Sequence, residues 1–180
     1  MSITTQSPIP HEVAQANCGS QVGMVVRRPC EEDVPGLAAL FSEMQAHYDR
    51  PVSYEAALSA AALACRPPVS TFDPRVLIAL VGDDVVGSIV MNVTFPAFEL
   101  SLSLHIRDLY VSRSMRRSGV GRLLVKSAAR LAVNEGFSAL EWTTDSANRA
   151  ARKMYEICGA KQLDRTYYRL FDDTLTAAAV

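Results

Sequence analysis

The 180-residue chain is 49% hydrophobic and 21% charged, a composition typical of one folded domain rather than of a disordered or fibrous chain. Its 18 Lys and Arg against 19 Asp and Glu give a net charge of −1, so the chain as a whole has no field that favours nucleic acid or an anionic membrane. The 4 cysteines follow no disulfide or metal-ligand spacing, so we expect a reducing, cytoplasmic setting and no metal site.

The N-terminal residues 1–21 are polar, contain Pro8 and Pro10 and show no periodicity, which predicts a disordered leader. They lack the basic start and apolar run of a signal peptide, and no apolar run in the chain approaches the ~18 residues of a membrane span. We therefore expect one domain over residues 22–172, a tail over residues 173–180, and no membrane partner.

The first part of the domain predicts a strand followed by two helices. Residues 22–28 form a short apolar strand pattern, and acidic residues with a proline then mark the first turn of a helix over residues 31–48. A second, alanine-rich helix begins near Ser53 and ends before Pro67.

Three strands follow. Residues 75–81 and 85–93 are rich in β-branched side chains and are separated by a Gly-Asp-Asp turn, which predicts a hairpin. A third run, residues 102–111, alternates in character. The alternation places Arg107, Leu109 and Val111 on one face and Asp108 and Tyr110 on the other.

In the C-terminal part, apolar residues first recur about every 3.6 positions, and helix and strand patterns then alternate. We predict a helix over residues 119–135, a strand over 138–144, a helix over 147–158 and a last strand over 166–171. Strands mixed with helices in this order predict an α/β fold with a mixed sheet, in which the strands on either side of residues 119–135 run parallel.

The segment before the third helix concentrates positive charge. Between Arg107 and Lys126 lie six basic residues and one acidic residue, a local charge of about +5. The segment enters the helix through Arg-x-x-Gly-x-Gly at residues 116–121, where free N–H groups and the helix dipole would meet an anion. A cationic helix start after a flexible loop, without a ligand, is the alternative.

Two common phosphate motifs do not fit. A P-loop needs Gly-Lys-Ser/Thr, but Gly121 is followed by Arg122 and Leu123. A dinucleotide-binding turn needs a third glycine, where this chain has Leu124.

Several motifs at matching intervals resemble one known family. They are Asp108-Leu109-Tyr110-Val111, Arg116-x-x-Gly119-x-Gly121, Asn148, Tyr155 and Gly159-Ala160. Over about residues 104–160 the chain resembles the coenzyme A-binding core of the GNAT superfamily of N-acetyltransferases, with a spacing similar to that of the diamine (spermidine/spermine) acetyltransferases. The resemblance implies a central, mostly antiparallel mixed sheet of six to seven strands flanked by about four helices.

The resemblance also implies which residues bind acetyl-CoA, the expected cosubstrate. The main chain of the strand end would pair with the pantetheine arm, the loop and helix start would hold the diphosphate, and an asparagine would bond the arm. In chain order these residues are Leu109, Tyr110, Val111, Arg116, Arg117, Ser118, Gly119, Val120, Gly121, Arg122 and Asn148. Asn148 has a second interpretation, as a capping residue of its helix.

The catalytic residues implied are Tyr155, as the acid for the departing thiolate, and Asp108, as a base for the amine. Tyr155 could instead be a packing residue of its helix. For the base, Glu141, His105 and a water chain are alternatives to Asp108. Arg107 reverses the acidic sign found at this position in the diamine subgroup, which disfavours a polycationic acceptor.

The function implied is transfer of an acetyl group from acetyl-CoA to a primary amine of a small molecule or a protein. Residues 43–54 and 95–99 would face the acceptor, although their polar side chains, among them Glu43, His47 and Tyr48, also suit an ordinary surface. A catalytically silent acyl-CoA sensor is the alternative. We expect no nucleic acid partner, and since dimers are frequent in this family, a homodimer is one expected assembly.

Overall fold

The computed structural model describes residues 23–179. The predicted leader, residues 1–21, lies outside them. The described strands are β1 (Met24–Arg27), β2 (Arg75–Val81), β3 (Asp84–Thr94), β4 (Ser103–Val111) and β5 (Leu140–Trp142). The described helices are α1 (Val34–His47), α2 (Tyr54–Ala64), α3 (Val120–Asn134), α4 (Arg149–Ile157) and α5 (Asp172–Ala177).

The strands form one mixed sheet in the order β1-β2-β3-β4-β5. The first three pairings are antiparallel, and β4 and β5 pair in parallel. A parallel pair needs a crossover connection, which α3 provides between β4 and β5. The predicted mixed, mostly antiparallel α/β fold is confirmed.

Helices cover both faces of the sheet. Leu124 of α3 lies in one buried cluster with Ile89 and Leu104 of the sheet. On the other face, α1 and α2 form a second cluster with Ile78 and Tyr110. The sheet is therefore the middle of three layers, and the end of β4 is held between α3 on one side and α1 on the other.

A β-bulge in β4 corrects one predicted face. Ile106 pairs with Met91 and Asp108 pairs with Val90, so Arg107 is an extra residue without a partner across the ladder, and its side chain is exposed. The predicted alternation grouped Arg107 with the α3-facing Leu109 and Val111, which is wrong because a bulge shifts the alternation by one residue.

The prediction of a last strand over residues 166–171 is also wrong, and the described sheet has five strands rather than six to seven. Residues 161–171 have no regular secondary structure, and Tyr167 and Tyr168 are 74% and 87% exposed. Aromatic residues favour strands only where a neighbouring strand and a packed face receive them. The predicted tail, residues 173–180, includes most of the short helix α5.

One ion-pair group ties α3 to the far side of the sheet. Glu135, which ends α3, accepts hydrogen bonds from Arg28 at 2.6 Å and from Nε of Arg75 at 2.7 Å. Arg75 is buried, and its guanidinium also lies over the ring of Phe137. A carboxylate at a helix C-terminus opposes the helix dipole, and here two guanidinium groups offset that cost.

Candidate functional site

A gap opens between β4 and β5. The two strands pair only at residues 104–106 of β4, because β5 is three residues long rather than the predicted seven. From the bulge at Arg107 to the end of β4, the edge that faces β5 therefore has no partner strand among the described residues. An extended ligand could pair there as an additional strand.

The direction of the main-chain groups at this edge follows from one hydrogen bond. The N–H of Ser112 donates to the carbonyl of Val86 on the β3 side at 2.9 Å. Because main-chain groups of successive residues point to opposite edges of a strand, those of Leu109 and Val111 point into the gap, and those of Tyr110 point to β3. Of the three predicted strand residues, two present their main chain to the gap, and Tyr110 contributes a buried side chain.

The loop that follows β4 has the backbone shape of an anion-binding nest. Arg117 and Gly119 have positive φ angles of 68° and 94°. The helical hydrogen bonds begin only with the N–H of Leu123, which donates to the carbonyl of Gly119. The N–H groups of residues 117–122 donate to no residue in the described part of the chain, so they are free for an anion at the start of α3.

The side chains of this loop divide into two groups. Arg117 and Arg122 are exposed and form no ion pair within residues 23–179. Arg116 donates from Nε to the Val111 carbonyl at 3.3 Å. Ser118 and Val120 are turned inward: the Ser118 hydroxyl bonds the Met115 carbonyl at 2.6 Å, and Val120 is buried. These two can serve an anion only with their main chain.

Helix α4 closes the site from the far side. The position that a Cβ would take at Gly121 is 3.8 Å from both Cε of Met154 and Cγ2 of Val111. The end of β4, the start of α3 and α4 therefore meet at this glycine. Met154 precedes Tyr155, so the predicted acid lies on the helix that borders the gap.

Tyr155 packs against Trp142, the last residue of β5, with ring centroids 5.0 Å apart. Burial raises the pKa of Tyr155 above its ordinary value, and the neighbouring Tyr48 and Cys158 add to the increase. Its hydroxyl therefore stays protonated at neutral pH. Trp142 was not predicted as a site residue, because the strand was predicted to continue to residue 144, and only the structure places Trp142 at its end.

The Asp108 side chain is partly buried, and its carboxyl forms no hydrogen bond or ion pair with any described residue. Burial raises the pKa of its carboxyl above the ordinary value, although the neighbouring Arg107 acts in the opposite direction. A carboxylate without a partner and with a raised pKa can accept a proton from an ammonium group. Among the alternatives, His105 and Glu141 are neighbours across β4 and β5, and Ser103 Oγ donates to Glu141 at 3.3 Å.

Asn148 is the N-cap of α4, and its side-chain oxygen accepts the N–H of Ala151 at 3.2 Å. The structure thus shows the capping role. The amide NH₂ of Asn148 donates to no described residue and stays available to a ligand.

Two residues gain a role that the sequence pattern did not indicate. Glu43 of α1, which was grouped with the acceptor-facing side chains, binds Tyr110 and the main chain of Arg113 instead. Gly87 of β3 faces Val120 and Leu124 of α3 and leaves no room for a Cβ between them. A glycine within a strand pattern is the signal that could have identified it.

Within residues 23–179, no group of three or more His, Cys, Asp or Glu is placed to hold a metal ion. Across the same residues, no helix combines the length and the apolar character needed to cross a membrane.

These features define a class of protein: an α/β domain in which two parallel strands separate beside a glycine-capped helix whose first N–H groups are free. The model of the acetyltransferase (GNAT) family matches residues 37–160. The chain therefore belongs to this family.

Individual relatives match shorter segments. The chain is 35% identical over 81 residues to thialysine N-epsilon-acetyltransferase of Caenorhabditis elegans, covering 44% of this chain and 49% of that protein. It is 31% identical over 77 residues to L-ornithine N5-acetyltransferase NATA1 of Arabidopsis thaliana, covering 43% of this chain and 34% of that protein. The matched segments thus span half or less of these curated relatives.

A solved structure matches over a longer range. The integron cassette protein from the mobile metagenome of V. cholerae has a TM-score of 0.72 and 29% identity, with 87% of this chain and 97% of that chain covered.

Proposed function

We propose that this protein is an acetyl-CoA-dependent N-acetyltransferase that acts on a primary amine. The observation that carries the proposal is the position of two unpaired sets of main-chain groups on one continuous segment. The edge of β4 that faces the gap, where both main-chain groups of Leu109 and the N–H of Val111 are free, leads within ten residues to the free N–H groups of residues 117–122. A ligand with an extended amide-containing arm and a diphosphate at its end would pair its amides with the strand edge and its diphosphate with the N–H groups of the loop.

The residues divide the binding of this cosubstrate between them. Leu109 offers its N–H and carbonyl to the amides of the arm, and Val111 offers its N–H, because its carbonyl accepts a bond from Arg116. The N–H groups of residues 117–122, with the positive charge of Arg116, Arg117 and Arg122, receive the diphosphate. The free amide NH₂ of Asn148 is available to the arm from the side of α4.

Acetyl-CoA supplies the acetyl group as an activated thioester. In the reaction, a bond forms between the amine nitrogen and the carbonyl carbon, and the bond between carbon and sulfur breaks. Asp108 takes the proton that the amine must lose, and Tyr155 gives its hydroxyl proton to the thiolate that leaves. A main-chain N–H of β4 that faces the gap stabilises the negative charge on the carbonyl oxygen.

For the acceptor, the charges near Asp108 favour an amine that also carries a carboxylate. Arg107 is exposed at the bulge and would repel a polycation, whereas an amino acid with a side-chain amine offers both charges. The two curated relatives are named for acceptors of this kind. An amino acid is therefore our first acceptor class, ahead of polyamine-like and drug-like amines and of protein amines.

The test is a thiol-release assay with acetyl-CoA and a panel of amines, with binding of CoA measured in parallel by calorimetry. We expect binding and release of free CoA with at least one amino acid acceptor. Binding without release for every amine would indicate an acyl-CoA sensor, and the absence of binding would contradict the proposal altogether. The cytoplasmic location and the homodimer stay predictions.

A further inference from the structure

Glu43 of α1 connects a helix on one face of the sheet to the loop that follows β4. Its Oε1 accepts the hydroxyl hydrogen of Tyr110 at 3.1 Å and the main-chain N–H of Arg113 at 2.7 Å. The second distance is short for a hydrogen bond to a main-chain N–H and is typical of a charge-assisted bond. One carboxylate oxygen thus binds a residue of β4 and the second residue after the strand.

Both partners lead to the proposed diphosphate site. Tyr110 is 3% exposed, and the guanidinium of Arg116 lies 5.4 Å from the centre of its ring. Arg113 begins a turn just before the nest, and its carbonyl accepts the N–H of Arg116. The position of Glu43 therefore influences Arg116 by two routes, through the ring of Tyr110 and through the main chain of the turn.

Glu43 lies on a part of α1 that buried neighbours hold in place. Its neighbours Leu40 and Met44 on α1 are buried in the same cluster as Tyr110. Burial and the bond to Glu43 both raise the pKa of the Tyr110 hydroxyl, so that this group stays a donor at neutral pH. The connection is therefore present before any ligand arrives.

Given the proposed function, we infer that Glu43 is a positioning residue that holds residues 112–117 in the shape that presents the free N–H groups to the diphosphate. It does not contact the reacting atoms. A loop held in its bound shape loses less conformational entropy when the ligand binds, and this lowers the dissociation constant.

The test compares Glu43→Ala, Glu43→Gln and Tyr110→Phe with the control Ala39→Ser, a change at an exposed position of the same helix that lies outside residues 43–54. We expect Glu43→Ala to raise the Kd for CoA about tenfold, because it removes two bonds to a charged acceptor. Glu43→Gln keeps an acceptor oxygen and should stay within about threefold of the wild type, with Tyr110→Phe between the two.

A truncated donor separates this role from others. Acetyl-pantetheine has the thioester and the arm but no diphosphate, so Glu43→Ala should transfer its acetyl group as fast as the wild type does. An equal loss with both donors would overturn the inference, because it would place Glu43 in acceptor binding or in general folding. An unchanged Kd for CoA would overturn it as well.

The two proposals fail in different ways. If the wild type neither binds CoA nor transfers acetyl groups, the proposed function is wrong. If the wild type does both and Glu43→Ala matches it, only the positioning role is wrong. Should Glu43→Ala fail to fold, Tyr110→Phe decides: a Kd equal to that of the wild type refutes the role, and a raised Kd with unchanged acetyl-pantetheine activity supports it.

Discussion

Gly87 of β3 and Val120 of α3 approach each other so closely that no side chain fits between them. A Cβ atom at Gly87 would lie 2.9 Å from Cγ1 of Val120, 3.1 Å from Cδ1 of Leu124 and 3.2 Å from the carbonyl oxygen of Tyr110. Val120 is the first residue of α3, so this contact sets how deeply the start of the helix sits against the sheet. The distance between the free N–H groups and β4 therefore depends on the contact between Gly87 and Val120.

We therefore predict that Gly87→Val destabilises the protein by roughly 1–3 kcal/mol, the range for overpacking a core. It should also weaken CoA binding, because α3 must move outward. Urea denaturation and calorimetry measure the two effects. The control is Gly23→Ala, where no atom lies within 4 Å of the added Cβ. Equal stabilities for Gly87→Val and the wild type would contradict the close packing.

Gly121 offers a matched pair of substitutions. A Cβ at this position makes only ordinary contacts, at 3.8 Å, with Met154 and Val111. Gly121→Ala should therefore leave the Kd for CoA within a few-fold of the wild type, whereas Gly121→Asp places a negative charge in the nest and should raise it tenfold or more. Isothermal titration measures both. The same Kd for the two variants would argue against an anion at the start of α3.

Replacement of Tyr155 by phenylalanine tests the proposed acid. The ring contact with Trp142 is kept and only the hydroxyl is lost. We expect kcat to fall about a hundredfold with little change in the Kd for CoA, as for loss of a proton donor in the transition state. Tyr167→Phe, in the exposed segment after α4, is the control and should retain full activity. A kcat equal to that of the wild type would make Tyr155 a packing residue.

The raised pKa of Asp108 predicts how stability depends on pH. A carboxyl with a higher pKa in the folded state binds its proton more tightly there, so its stabilising contribution is fully present below its ordinary pKa of 3.8. That contribution is lost as the pH rises through the folded-state pKa. Asp108→Asn, which stays neutral, should therefore be more stable than the wild type at pH 7, with a difference that shrinks towards pH 4.

Urea denaturation at the two pH values measures this difference, and Asp164→Asn, at an exposed position, is the control. The same Asp108→Asn variant should lose about a hundredfold or more in kcat at pH 7, because the base is absent. A stability gain that is the same at pH 4 and pH 7 would show that the charge of Asp108 is not responsible.

The sequence predicted the elements whose signals are local. Strand β2 has its predicted bounds, and α3 begins one residue after its predicted start, with Gly119 as the N-cap, because hydrophobic period and helix caps depend on neighbouring residues. The nest was predicted for the same reason, since it belongs to a single loop.

The features that escaped prediction depend on contacts between distant segments. The bulge at Arg107 exists only in relation to β3, and residues 166–171 have strand-like side chains without a strand partner. Glu43 lies 70 residues before Arg113 in the chain, so no spacing rule joins them. Its acidic side chain on a helix could be assigned to solvent, acceptor or loop until the fold was known.

The ion-pair group of Glu135 has a consequence for protein engineering. It fastens α3 at the terminus remote from the cleft, through Arg28 and the buried Arg75, and so makes the seating of the helix less dependent on the glycine-rich turn. The turn can then be changed in length or in charge while the C-terminal end of α3 stays anchored. For anyone who wishes to retarget this scaffold to another acyl donor, the exposed Arg116, Arg117 and Arg122 are the positions to randomise, while Val120 keeps its contact with Gly87.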